Sequence, residues 1–227
     1  MSLAIVYTRA NIGVDAPLVC VETHLSNGLP SMSIVGLPET AVKESRERVR
    51  SAILNANLEF PARRITINLA PADLPKSSGR FDLAIALSIL AASDQIPADK
   101  LHAYEFLGEL ALTGDIRGVL GVLPALLAAR GCGRALVLPA PNGAEASLVR
   151  DVNAFSASHL LDVCAHFLHG RPMAACTFSD AAFAPAPPNR LNEPVPNASV
   201  AIKTGATDIG IPSAVPTKGE IRTSGSP

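Results

Sequence analysis

Hydrophobic and polar positions alternate in short bursts over the first part of the chain and merge into longer apolar runs further on. Residues 4–7, 19–24 and 31–35 each alternate with the period of a half-buried strand. Asn27-Gly28 lies between the second and third of these. Both residues tolerate positive φ, which predicts a tight hairpin joining the two strands. Pro38 opens a helix where a missing N–H costs nothing. Glu39 falls in its first turn, and Arg46, Arg48 and Arg50 lie further along, the order a helix dipole favours. Val42, Val49, Ile53 and Ala56 form its apolar stripe, and Asn57 and Pro61 end it.

The most informative stretch is 65–118. The β-branched run Ile65-Thr66-Ile67-Asn68-Leu69 is a strand that stops at Pro71. A polar loop, 73–80, follows with Lys76-Ser77-Ser78-Gly79 at its centre, and 81–92 is a helix almost wholly apolar apart from Asp82 and Ser88. A loop held at both ends by rigid elements is a common place for function. Next, 104–112 reads as one strand with Gly108 inside it, and Thr113-Gly114-Asp115 turns the chain toward Ile116. A helix over 122–130 is capped by Gly131, and 135–138 is all apolar, as in a strand buried on both faces. A short helix over 141–149, a strand at Phe155 and a helix capped by Ser158 and ended by Gly170 complete the pattern. Strand–helix–strand alternation from residue 61 onward predicts an α/β fold with a mixed, partly parallel sheet.

The pattern breaks near Arg171. Nine of the 19 prolines lie in 171–227, with few large apolar residues. The expected organisation is a folded domain over 1–170 and a proline-rich, disordered tail over 171–227, since such a segment buries too little surface to offset its ordering entropy.

Composition narrows the chemistry. With 227 residues at 48 % hydrophobic, the chain supports one sizeable core. Nineteen basic against 20 acidic residues leave no global field for nucleic acid or acidic membrane. Basic residues cluster locally at Lys43, Arg46, Arg48 and Arg50, a face read first as solvated and second as a phosphate-binding patch. The absence of Trp argues against a base-stacking platform. Cys20, Cys132, Cys164 and Cys176 form no CxxC pair, and the five histidines share no metal spacing, so no metal site is expected. No apolar run reaches the roughly 20 residues that span a bilayer, and no signal peptide is visible. A cytoplasmic protein without membrane contact is the expectation.

The stretches VGLPETAVKESRERVRSAI, INLAPADLPKSSGRFDLAIALSIL, FLGEL and LTGDIRGVLGVLPALLAAR resemble, collinearly, the N-terminal domain of the ComM/YifB family of magnesium-chelatase-like AAA+ ATPases. The resemblance covers about 3–170. It implies a Lon-protease-like domain, related to a ribosomal-protein β-α fold, that precedes an ATPase domain in a hexameric motor acting on branched DNA in natural transformation. It also implies ATP and magnesium as cofactors, but only for the full-length proteins. The sequence has no GxxxxGK[ST], so truncation or a shifted frame before the ATPase is the expectation.

Lon-type peptidases use a serine–lysine dyad. Carried over by resemblance, the serine position falls on or near Arg80, within the stretch that matches PKDGPSAG, and the lysine position falls on Leu123, within the stretch that matches GGLKEKLLAA. No lysine occurs between Lys100 and Lys203. The expected activity is therefore none: a pseudo-peptidase acting as an interaction or regulatory module, partnered by itself or an AAA+ motor domain. A divergent serine–lysine peptidase and a phosphate- or DNA-contacting module are the alternatives. Candidate interaction residues are Lys76, Ser77, Ser78, Arg80, Asp82 and Arg117 in the loop, with Lys43, Arg46 and Arg50 as a basic face. The serines read as caps of the helix at 81–92. Asp82 reads as a dipole partner of that helix, or else as an ion-pair partner of Arg80 or Arg117.

Overall fold

A computed structural model describes residues 2–74 and 79–178, all within one unit, Met1–Ala184. Lys76, Ser77 and Ser78 lie outside the described residues, as does the side chain of Glu39.

The chain runs β1 (Ser2–Arg9), β2 (Leu18–Ser26), β3 (Ser31–Val35), α1 (Glu39–Asn55), β4 (Arg64–Ala70), α2 (Asp82–Ala92), α3 (Ala98–Leu101), β5 (Tyr104–Phe106), β6 (Glu109–Leu110), β7 (Ile116–Arg117), α4 (Val122–Cys132), β8 (Ala135–Pro139), α5 (Gly143–Ala146), β9 (Ala154–Ala157), α6 (Leu160–His169) and β10 (Ala174–Ala175). An eight-stranded mixed sheet has the order β10-β9-β8-β5-β1-β2-β4-β3, and β6 and β7 form a separate ribbon. This is an α/β architecture with a mixed sheet.

Asn27-Gly28 does not make a hairpin between β2 and β3. β4 inserts between them, antiparallel to β2 and parallel to β3. The connection through α1 is long enough for a crossover, so β3 is free to pair in parallel on the far side. Position 108 likewise divides what reads as one strand. β5 joins the main sheet and β6 the ribbon, because Gly108 donates to Arg80 O and accepts from Leu83 N. α4 ends at Gly133, in the left-handed region at φ 70°, rather than at Gly131. α6 is capped by His159, not Ser158, with Asp162 completing a capping box. α2 is capped by Phe81 with no side-chain bond. The last turn of α1 carries no basic residue.

Every residue of α2 is buried. It lies on β1 and β2, with α1 packed beside it. Along β2 buried and half-buried residues alternate strictly, so only one face meets the core. β8 is apolar throughout because each face meets a different core. Val137 joins the large cluster around α2 and α6, while Leu136 and Leu138 join a smaller one around α4. Beyond Gly170 the packing continues. Met173 is buried, and Ala174 and Ala175 pair with Ser156 and Phe155.

Candidate functional site

The described end of the polar loop, Gly79 and Arg80, leads into α2 beside the β6–β7 ribbon, and α1 packs on α2. At the start of α2, Asp82 is fully buried, and its carboxylate collects three donors from two elements, α1 and β6. Ser45 Oγ donates to Oδ1 at 2.5 Å, Arg48 Nε to Oδ2 at 2.6 Å, and Leu110 N to Oδ2 at 3.3 Å. Burial pushes the Asp82 carboxyl upward, while the bonds from Arg48 and Ser45 pull the other way. The bond to Asp82 raises Arg48 in turn. The partner of Asp82 is thus Arg48, not Arg80 or Arg117. Arg48 reaches it because Ser45 and Arg48 are one turn apart on the face of α1 that meets α2. Ser45 falls on the same helical stripe as Val42, Val49 and Ala56. A polar residue on an apolar stripe was the signal for this contact.

Arg117 pairs instead across the ribbon with Glu109, at 3.6 Å and largely exposed. Glu109 also lies against Gly79, where an added Cβ would come within 2.6 Å of Oε2.

Arg80 is 4 % exposed. Its Nη1 donates to Leu120 O at 3.0 Å, while Nε and Nη2 have no hydrogen-bond partner among the described residues. Burial lowers its pKa to about 10, which leaves it charged at neutral pH. The contact brings the Arg80 position to the turn that leads into Leu123, whose N–H donates to Glu145 Oε1 at 3.0 Å. Of the two positions that the Lon resemblance assigns to a dyad, the first thus bonds to Leu120, three residues before the second. One holds a guanidinium and the other an aliphatic side chain.

The basic face divides three ways. Arg48 turns inward. Arg50 is exposed, with its guanidinium 4.9 Å from the Phe60 ring centroid. Arg46 is half-buried, with its Nε buried and without a hydrogen-bond partner among the described residues. Lys43 is exposed.

Sequence reading missed one further charge cluster. Arg9 on β1 clasps Glu105 on β5 through Nε–Oε2 at 2.5 Å and Nη2–Oε1 at 2.8 Å, and both residues are buried. Arg134 adds a longer contact to Glu105 at 3.5 Å. Ninety-six positions separate Arg9 from Glu105, so no local pattern joins them. Among the described residues no three His, Cys, Asp or Glu side chains converge as metal ligands, and no helix is long and apolar enough to cross a membrane. His166 is occupied by Tyr104 Oη at 3.1 Å and Arg171 O at 3.3 Å.

Comparison with known proteins places this site in a family. A family model described as subunit ChlI of Mg-chelatase matches residues 21–142, which contain Ser45, Arg48, Asp82 and Leu110. Competence protein ComM of Haemophilus influenzae is 60 % identical over 171 residues, covering 75 % of this chain and 33 % of that protein. The uncharacterised YifB proteins of Salmonella typhimurium and Escherichia coli are 57 % and 54 % identical over the same length, each covering 75 % of this chain and 34 % of the relative. The chain spans about a third of the length of the curated relatives it matches. With its strand–loop–helix centre inside the matched region, the chain belongs to the magnesium-chelatase-like family of ComM and YifB.

Proposed function

We propose that this chain is a non-catalytic interaction domain that works together with an ATP-driven DNA motor of the ComM type. The observation that carries the reading is the pair of positions Arg80 and Leu123. A guanidinium stays protonated at physiological pH and donates only. Arg80 therefore cannot attack a carbonyl as a serine does, and Leu123 has no group to take a proton. Asp82 offers no substitute base, since both its oxygens accept bonds from α1 and β6. The name of the Haemophilus influenzae relative supports a role in competence, and the family resemblance supports DNA as the substrate of the whole assembly. ATP and magnesium act, on this reading, in the part of the longer relatives that this chain does not match.

Incubation with unfolded casein and with a fluorophosphonate serine probe tests the reading. No turnover and no labelling are expected. Labelling of Ser77 or Ser78 that disappears in Lys76→Ala would establish the divergent peptidase instead. Titration with magnesium-ATP should show no binding tighter than about 10 µM, roughly −7 kcal/mol. A tighter site would place nucleotide chemistry in this domain.

A further inference from the structure

The outer edge of the main sheet combines outward-turned backbone groups with a basic groove. Ser31 N donates to Arg63 O at 3.3 Å, and Ser31 stands opposite Arg64 in the parallel β3–β4 pair. Successive strand residues turn their backbone groups to opposite sides. Ser31, Ser33 and Val35 therefore bond toward β4, and Met32 and Ile34 turn their N–H and C=O outward. β3 is the last strand of the sheet, so no described strand meets those groups.

Beside the start of β3 lies a groove of about 470 Å³ whose lining includes Met32, Arg46, Glu47, Arg50, Phe60 and Arg63. Its lining carries three arginines and one glutamate. The Arg46 Nε is buried without a hydrogen-bond partner among the described residues. Met32 and Phe60 supply a partly buried apolar floor continuous with the core.

We propose that β3 accepts an acidic, extended segment of a partner protein as an added strand, with its carboxylates held by Arg46, Arg50 and Arg63. A polypeptide supplies alternating acceptors and donors that match the outward groups of Met32 and Ile34. Alternate side chains of such a strand point to one face about 7 Å apart and can carry carboxylates toward α1. A nucleic-acid backbone offers nothing comparable to the outward carbonyls. The one aromatic ring in the groove, Phe60, is already covered by Arg50, which leaves no stacking platform for bases. The inference rests on the interaction-domain reading and names the chemistry of its partner.

Fluorescence anisotropy of a fluorescein-labelled peptide of alternating glutamate and valine, titrated with the full chain, is the test. Saturable binding is expected, weakened tenfold or more in Arg46→Ala/Arg50→Ala. Two further peptides, N-methylated at odd or at even positions, probe the strand pairing without altering the protein. Methylation in one register should abolish binding, and in the other spare it. Indifference to both registers overturns the proposal. So does tighter binding of a fluorescein-labelled oligothymidine that is lost in the same variant. Mass spectrometry of the recovered peptide separates the two levels of reading. An intact, unbound peptide overturns the added strand alone, whereas a cleaved peptide overturns the non-catalytic reading as well.

Discussion

Arg48 Nε lies 2.6 Å from Asp82 Oδ2 and joins the middle of α1 to the first turn of α2. Arg48 is 20 % exposed and Asp82 1 %, so the pair has one end near water and the other in the core. Removing the outer partner strands the inner charge. Arg48→Ala should cost about 3–5 kcal/mol at neutral pH, because a buried carboxylate loses its compensation. Arg117→Ala removes the exposed pair with Glu109 and should cost less than about 1 kcal/mol. Urea denaturation of both variants checks the contrast. Equal losses would mean that the Asp82 network holds nothing together.

The same variant predicts a pH dependence. Burial already raises Asp82 in the folded protein, and loss of Arg48 takes away a bond that lowers it. A carboxyl whose folded pKa is raised binds its proton more tightly when folded. Its ionisation therefore destabilises the fold above that pKa and ceases to matter below the unfolded value of about 3.9. The deficit of Arg48→Ala should thus be largest at alkaline pH and shrink as pH falls through the raised Asp82 value. A deficit that grows on acidification would reverse the assignment.

Leu87, fully buried in the middle of α2, is a plain test of the core. Leu87→Ala should cost about 2–5 kcal/mol through lost transfer energy and a residual cavity. A value below about 1 kcal/mol in a denaturant melt would mean that α2 is not central to the fold.

The C-terminal boundary can be set by truncation. Met173 is buried, Cys176 N donates to Ala154 O at 2.8 Å, and Arg150 lies 4.5 Å from the Phe178 ring centroid. Ending the chain after residue 170 rather than 178 should lose about 1.5–3 kcal/mol, mostly from Met173. On composition, removing 179–227 should change stability by less than about 1 kcal/mol. Thermal or urea melts of the two truncations decide it. A large loss from the second would place part of the fold in the proline-rich segment.

Sequence alone determined what depends on near neighbours. The periodicity of residues 65–69 and the unbroken apolar run of 81–92 marked β4 and α2, since pattern and burial are local matters. The long collinear stretches around Arg80 and Leu123 placed the chain in its family. Tertiary structure alone decided the partners. Asn27-Gly28 reads as a hairpin turn, yet β4 inserts because strand pairing is settled by which edges meet, not by turn residues. Asp82 could face Arg80, Arg117 or the helix dipole until the packing of α1 on α2 brought Arg48 to it. Arg9 and Glu105, far apart along the chain, find each other only because β1 and β5 are neighbours in the sheet. Charge pairs between distant elements leave no periodic trace, since their geometry exists only after the chain has folded.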